Sequence, residues 1–577
     1  MPTLFAPHLM DDTDAVNGQI PRTMLHSGDW VTARLDGVPF LEKSPLMYWM
    51  IASSYAVFGE FDWAARLPIV LSIIAIVWLI ARMGIWAFGG SAGLYSGLVF
   101  GTGIGLFLFT RILIPDVILT GTIALSLWAF LRALDEQETR PGAWAYTMWA
   151  SMAVGLLLKG LISLLFPMAA AGLFLVFTGQ LFARRTWARL RPITGFALLL
   201  CIALPWYVLA TLRNPPYFDF TMTSGPGQYR GFFWFYFFNE HLLRFLNLRW
   251  PRDYDTVPRH YFWLLHLLWF FPWSAYLPAL LRLNYRGSDR ASRLRLLCLC
   301  WLGFVLVFFT FSTTQEYYSM PAYPAFALLL GAAMAEGSVW LQRGAKAVGV
   351  IAALALAAIV AILANVWTLP APGDISQALT QNPGLYTLSL GHMGDLTLAS
   401  FAYLKVPLLL AGIACLLGTL AAWRWRGTLL YAGLAVMMAL FLNAARLAMV
   451  AFDPYLSSQP LAAALKAAPP GMVIMGDQYY VFSSVFFYGD LEQGLLLNGR
   501  YQNLEYGSYA PGAPDVFLDE VNLPAMWYGD ARVYLVVEGP KVEGIAKLVG
   551  KDHMHVVKAS GGKYLFTNRP WDTDGHL

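Results

Sequence analysis

Charge is what this chain has least of. Lys, Arg, Asp and Glu make up 13% of its 577 residues, about half the share of a soluble domain. A water-soluble globule of this size is excluded, because too few ionic groups exist to cover it. Cysteine is nearly absent as well. Cys201, Cys298, Cys300 and Cys415 all fall inside apolar runs, so they offer neither a disulfide framework nor a zinc motif. The first residues lack the basic region and apolar core of a cleavable signal peptide. There is no internal repeat or low-complexity tract. The inverted repeats that mark many transporters are not evident either.

Apolar sequence fills the gap. Hydrophobic residues reach 58% and aromatics 15%, with 22 Trp. The apolar runs are about 18–24 residues long, the length of bilayer-crossing helices rather than of barrel strands. The fold class expected is therefore an all-α polytopic membrane protein. Twelve spans are predicted: 66–88, 92–110, 115–134, 143–160, 163–182, 192–211, 259–281, 295–312, 319–341, 346–367, 403–421 and 428–450. Residues 46–58, "LMYWMIASSYAVF", are too short to cross and read as an aromatic helix at the interface. A second short helix is predicted over 14–25, ending near His26-Ser27-Gly28.

Lys and Arg in short loops set the orientation. "ARRTWARLRP" (183–192), "RLNYRGSDRASRLR" (282–295), "QRGAK" (342–346) and "WRWR" (423–426) all fall on one side when the spans are numbered in order. That side is predicted to be cytoplasmic. The other, in a bacterium the periplasm or exterior, receives residues 1–65, the loops 212–258, 312–320 and 368–402, and the tail. The tail differs in kind. "GMVIMG", "GLLLNG" and "RVYLVVEGP" read as buried strands, and "QPLAAALKAA" and "PKVEGIAKLVG" as helices. The division predicted is a membrane domain, 1–452, and a small α/β domain, 453–577.

Outside the basic loops, the polar residues gather on that outer side. They are Asp11, Asp12 and Asp14 in "DDTD"; Glu42 and Lys43 in "FLEKSP"; Arg111 and Asp116 in "RILIPD"; Lys159 in "LLLKG"; Glu240, His241 and Arg244 in "NEHLLR"; and Glu316, Tyr317 and Tyr318 in "QEYYSMP". Each has an ordinary explanation. Arg111 and Lys159 could be snorkelling anchors. Asp116 could serve a helix start. Glu240 and Arg244 have the spacing of a plain helical ion pair, and His241 could pack among aromatics. Together they describe acids, cations and a histidine around one outward cavity. Cations there would hold a phosphate, a carboxylate would take a proton from an acceptor hydroxyl, and Glu or Asp with His could bind a divalent ion.

These motifs carry a family resemblance. "DDTD", "MLHSGDWVTARLDGVPFLEKSPLMYW", "AARLP", "RILIPDVILT", "LLLKG", "ALPWY", "FFNEHLLRF", "FPW" and "TTQEYYSMPAYPAFALLLG" occur in the order found in the GT-C superfamily of polyprenyl-phosphate-dependent glycosyltransferases. Within it, the chain is similar to the bacterial 4-amino-4-deoxy-L-arabinose (lipid A) transferase and protein O-mannosyltransferase relatives. The motifs cover roughly residues 10–335.

The resemblance implies an inverting transferase that moves one sugar from undecaprenyl phosphate to a lipid A-type or other cell-envelope acceptor at the periplasmic face of the inner membrane. It implies a catalytic carboxylate at Asp12 or Asp14 and a second acid at Asp116. Lys43, Arg244 and Tyr317 would contact the phosphate or headgroup, joined in the substrate set by Arg111, Lys159 and Tyr318. Glu42 and His241 would form a metal pair for Zn, Mn or Mg. The partners implied are the lipid-linked sugar, a lipid A or protein acceptor, and membrane lipid; nucleic acid is not among them. The chain departs from the family in its first acidic motif, usually Asp-Glu. It also departs in span number: the family places a helix before that motif, which implies a thirteenth span upstream of Met1. A protein O-mannosyltransferase-like enzyme and a lipid-linked sugar transporter are the rival readings. A transporter would place its polar residues near mid-membrane, whereas here they lie at one edge.

Overall fold

The computed structural model describes residues 4–252, 257–312, 314–380, 382 and 388–570. Parts of the expected loops 212–258, 312–320 and 368–402, and the last seven residues of the expected C-terminal domain, lie outside the described residues.

Eight helices among those described are long and apolar enough to cross a bilayer, the first Asp62–Phe88 and the last Gly427–Ala451. The chain is a multi-pass membrane protein. Each of the twelve apolar runs is helical, but four differ from the expected spans. The run 92–110 breaks into Gly90–Gly101 and Ile104–Phe109. At the break Gly103 is extended (φ −73°, ψ 143°), and the short second helix turns toward the cavity described below. The run 163–182 shortens to Ile162–Phe177. The run 259–281 bends by 97° between Arg259–Trp269 and Trp273–Arg282, where Pro272 supplies no N–H to continue the helix. "QRGAK" is not a loop. The chain turns at Gly337 (φ 76°) and Ser338, and those residues lie inside Val339–Val366.

Close packing depends on small residues, as in membrane helix pairs generally. A Cβ at Gly93 would sit 2.6 Å from the Ala81 carbonyl, across the contact between Asp62–Phe88 and Gly90–Gly101. Tyr323–Glu336 lies at the centre of the bundle, buried from Tyr323 through Met334.

The acidic stretch 135–138 meets the arginine-rich segments on the face away from the cavity. Arg290 Nε lies 2.6 Å from Asp135 Oδ2, Arg185 pairs with Glu136 at 2.8 Å, and Arg189 donates to the Asp135 carbonyl at 2.9 Å. At the other end, the Val257 N–H donates to the Thr314 carbonyl. The bent pair 259–282 therefore runs from one face of the bundle to the other.

The tail folds as the strand and helix patterns predicted, with more strands. Label the strands β1 (Arg34–Leu35), β2 (Val38–Pro39), β3 (Met472–Met475), β4 (Leu495–Leu497), β5 (Phe517–Leu518), β6 (Val533–Glu538), β7 (His555–Ser560) and β8 (Lys563–Thr567). The first two form a hairpin, and the rest a mixed sheet in the order β5-β4-β3-β6-β8-β7. β3 to β6 are parallel; β8 joins β6 and β7 antiparallel. Alternation sorts the two faces. Val473, Met475, Tyr534 and Val536 share one core with the membrane helices. Ile474, Leu497, Leu535 and Val537 pack on Leu523, Trp527, Ile545 and Val549. The two expected domains are thus joined by a continuous core.

Candidate active site

The N-terminal acids are sorted by their partners. Asp11 is consumed in docking the tail. Its Oδ1 accepts from the Ser484 backbone and hydroxyl at 2.9 and 2.7 Å, and its Oδ2 from Ser458 at 2.6 Å and Lys563 at 2.5 Å. Asp12 stands at the N-terminal boundary of the helix Thr13–Ser27 with a positive φ (71°) and makes no side-chain cap bond. Its N–H donates to the Tyr480 carbonyl and its own carbonyl accepts from Ser483. Its side chain is exposed on the cavity wall.

Asp14 is 1% exposed. Its Oδ2 accepts from Met10 N–H at 3.1 Å and its Oδ1 from Leu113 N–H at 2.9 Å, with Arg66 3.6 Å away. Burial raises its pKa against the pull of Arg66 and the two N–H groups. Asn17 donates to the Leu113 carbonyl at 2.6 Å and accepts from Tyr48 at 3.1 Å. These bonds fasten the N-terminal helix to "RILIPD". In that segment Arg111 lies 5.0 Å over the Phe107 ring and keeps its charge, with a pKa lowered to about 10 by burial and by Arg66.

Glu42, Lys43 and Ser44 lead into the helix Leu46–Phe58, with Pro45 at its start. Ser44 anchors the turn by donating to the Leu156 carbonyl at 3.0 Å and bonding Tyr236. Glu42 is surrounded by donors: Lys43 Nζ on Oε1, Arg244 Nη1 3.6 Å from Oε1, and Asn503 Nδ2 at 2.5 Å from Oε2. Burial alone would raise the Glu42 pKa, but Lys43, Arg249 and Arg244 outweigh it and hold it below the usual range. Lys43 is raised in turn because Glu42 outweighs its burial.

Asp116 opens the helix Asp116–Leu134 without capping it through its side chain. Its carboxylate instead takes Lys159 Nζ at 2.5 Å. The same ammonium lies 5.3 and 4.8 Å over the rings of Tyr317 and Tyr318. Arg244 donates to the Tyr318 hydroxyl at 2.9 Å and pairs with Glu240 at 2.7 Å. The ordinary reading of Glu240 as a helical partner of Arg244 is therefore right. Glu240 also holds Arg249, whose side chain is fully buried.

The glycine of "LLLKG" has a steric reason. A Cβ at Gly160 (φ 72°) would fall 2.3 Å from His241 Nε2 and 2.6 Å from the Tyr236 hydroxyl. The turn it permits aims the Leu161 N–H at His241 Nε2, 3.2 Å away. His241 sits in a π-helix, Trp234–Leu243, a form frequent at functional sites. Its Nδ1 bonds the Tyr236 carbonyl at 2.6 Å, and its ring packs on Tyr236 at 4.8 Å. Burial lowers its pKa, and the two contacts match a ring with Nδ1–H donating and Nε2 accepting.

The expected metal pair, Glu42 and His241, stays a proposal: the Nδ1–H bond to the Tyr236 carbonyl leaves His241 Nε2 as the ring atom a metal would take. Glu42 is held by three cationic or amide groups, and Nε2 meets the Leu161 N–H. Among the described residues no three His, Cys, Asp or Glu gather to hold an ion.

Every expected site residue lines one cavity of about 1610 Å³. Its polar wall carries the groups above. Its apolar walls come from the helices around Phe107, Leu408, Phe441 and Met449. Three contributors were not singled out as site residues by the sequence: Arg249, Asn503 and the hydroxyl set of Ser44, Tyr207 and Tyr236, in which Tyr207 donates to the Leu156 carbonyl at 2.8 Å. Only the aromatic density of "FFWFYFFNEH" pointed to that last region.

A family model described as dolichyl-phosphate-mannose-protein mannosyltransferase matches residues 42–208. An undecaprenyl phosphate-alpha-4-amino-4-deoxy-L-arabinose arabinosyl transferase of Pseudomonas fluorescens is 28% identical over 398 residues, 65% of this chain and 62% of its own. A protein of the same description from Pseudomonas aeruginosa is 29% identical over 330 residues, 55% of this chain and 54% of its own. The chain thus spans between half and two thirds of the length of these curated relatives. The crystal structure of ArnT from Cupriavidus metallidurans bound to undecaprenyl phosphate superposes with a TM-score of 0.78 at 22% identity, over 98% of this chain and 95% of that one. Its apo form gives 0.74 at 21% identity.

Proposed function

We infer that this chain, which has the fold of a polyprenyl-phosphate-dependent GT-C glycosyltransferase and is similar to that family in sequence, transfers one 4-amino-4-deoxypentose from undecaprenyl phosphate to lipid A. The observation that carries the reading is the pairing of polar and apolar walls in a single cavity. Lys43, Arg244, Lys159 and Arg111 line one space with Asp12, Asp14 and Asp116, and apolar residues such as Phe107, Leu408, Phe441 and Met449 line it too and suit a lipid tail. A phosphate on an isoprenoid chain matches both halves.

In the mechanism, Lys43 and Arg244 hold the donor phosphate by charge-assisted hydrogen bonds. Lys159, fixed by Asp116, adds positive charge where the leaving phosphate gains negative charge. Asp12, the carboxylate exposed to the cavity, takes the acceptor proton. The acceptor oxygen forms the new bond to the anomeric carbon as the bond to the phosphate oxygen breaks, with inversion. Undecaprenyl phosphate departs with both bonding electrons. Asp14 positions "RILIPD" rather than the proton.

The arginine-rich face fits the cytoplasmic side of a bacterial inner membrane, which turns the cavity and the C-terminal domain to the periplasm. The family model's description favours one second reading, transfer to a protein. Purified chain given the lipid-linked amino sugar, lipid A and membrane protein separates the two. Lipid A heavier by one sugar supports the first reading; sugar found on protein alone supports the second.

A further inference from the structure

We propose that the C-terminal domain completes the donor-phosphate site through Asn503, a positioning residue that fixes Glu42 and, through it, Lys43 and Arg244. The inference rests on the reading of those two cations as phosphate ligands.

Five side chains close a ring. Asn503 Nδ2 donates to Glu42 Oε2, and Asn503 Oδ1 accepts from Arg249 Nη2. Arg249 Nε meets Glu240 Oε1, Glu240 Oε2 takes Arg244 Nη1 at 2.7 Å, and Arg244 Nη1 returns to Glu42 Oε1 at 3.6 Å. Four members come from the membrane domain and are charged. Asn503 is the one neutral link, and it comes from the tail, 461 positions beyond Glu42. It is 3% exposed.

The ring divides the Glu42 carboxylate. Oε2 faces the tail and Oε1 faces the cavity cations. Without Asn503, Oε2 is a buried acceptor lacking its donor. Rotating the carboxylate to satisfy it brings both oxygens onto Lys43 and Arg244 and draws the cations away from a bound phosphate. An amide suits the link because it gives a hydrogen bond to one carboxylate and takes one from a guanidinium.

The helix that carries Asn503, Gln502–Ser508, is itself pinned at the site. Tyr506 hydroxyl donates to the Gly231 carbonyl and accepts from the Arg230 N–H, both at 3.0 Å, and its ring stacks on Phe235 at 4.2 Å. Docking of the tail is therefore read directly by the groups that hold phosphate.

Equilibrium binding of undecaprenyl phosphate to the full chain tests this, with Asn503→Ala and Asn503→Asp beside the wild type. Asn503→Ala removes both hydrogen bonds, and Asn503→Asp keeps the acceptor for Arg249 but sets a second carboxylate against Glu42, so melting of each variant is measured beside binding and only folded protein is titrated. Each variant should bind about tenfold more weakly with an unchanged number of sites per protein. In turnover, donor KM should rise with kcat little altered. A purely structural role would lower the number of sites and leave the affinity alone. Affinity within about twofold of wild type in folded Asn503→Ala, or in folded Asn503→Asp at a pH where both carboxylates are charged, overturns the proposal. Wild type that binds no undecaprenyl phosphate overturns the donor reading, and the role of Asn503 with it.

Discussion

Lys159 Nζ lies 2.5 Å from Asp116 Oδ1, with Asp116 only 2% exposed and the ammonium covered by the rings of Tyr317 and Tyr318. The two residues end and begin different membrane helices, so the pair joins them at the cavity. Breaking a buried pair from one side leaves an uncompensated charge, at a cost of about 3–5 kcal/mol. Lys159→Met alone should therefore lower the melting temperature sharply in detergent. Adding Asp116→Asn should restore much of it while turnover stays lost. Full turnover by the double variant would remove the pair from the chemistry.

Lys43→Ala and Arg244→Ala should each weaken undecaprenyl phosphate binding by about 1.5–3 kcal/mol, the worth of a hydrogen bond to a charged group. Arg244→Ala should also destabilise the fold, because Glu240 and Tyr318 lose a donor. Lys43 pairs with the neighbouring Glu42, so Lys43→Ala should affect binding more than melting. Titration of both variants against wild type checks the order.

Asp12 and Asp14 should separate when each is changed to Asn. Asp12→Asn removes a base and little volume, so turnover should vanish while folding and lipid phosphate binding persist. Asp14→Asn should cost about 1–3 kcal/mol of stability, since the buried carboxylate holds Met10, Leu113 and Arg66. Full activity in Asp12→Asn, with loss of turnover at native stability in Asp14→Asn, would reassign the base to Asp14.

Asp36 makes a pH prediction. It turns the β1–β2 hairpin at φ 54° and accepts from Gly494 N–H at 2.9 Å, while its Oδ2 is buried without a partner. Burial raises its pKa from 3.8 to about 7. A raised acid binds its proton more tightly when folded, so stability is lost as pH climbs from 3.8 and is fully forgone above about 7. Asp36→Asn should melt above wild type in alkaline buffer, by an amount that shrinks as the buffer is made acidic. An advantage that does not change with pH would show that Asp36 is not the titrating group.

Much of this site was legible because its motifs are local. "LEKSP" and "LLLKG" each place a charge beside a residue that ends or starts a helix, and the helix 46–58 is bracketed by Pro45 and Gly59. The gathering of acids and cations on one side followed from span parity alone, and the structure puts them on one cavity, except Glu316, which accepts from the Ser389 N–H instead. What stayed hidden depends on partners far off in sequence. Asp11, Asp12 and Asp14 look alike in "DDTD". They differ through Ser458, Ser484 and Lys563 in one case and Leu113 and Arg66 in another. The break at Thr102-Gly103 falls in "GTGIG", a dip too short to divide an apolar run of spanning length. Glu42 and His241 read as a metal pair by residue type; their partners far off in sequence, Arg244 and the Leu161 N–H, were not legible. Asn503, an amide in an unremarked stretch of the tail, carries no motif at all.

Sugar transfer by the purified chain is the most direct measurement. Wild type supplied with undecaprenyl-phosphate-linked 4-amino-4-deoxy-L-arabinose and lipid A should yield, by mass spectrometry, lipid A heavier by one amino sugar, together with free undecaprenyl phosphate. Asp12→Asn should yield neither product while still binding undecaprenyl phosphate. Folded wild type that binds undecaprenyl phosphate yet leaves both lipid A and donor unchanged would contradict the assignment.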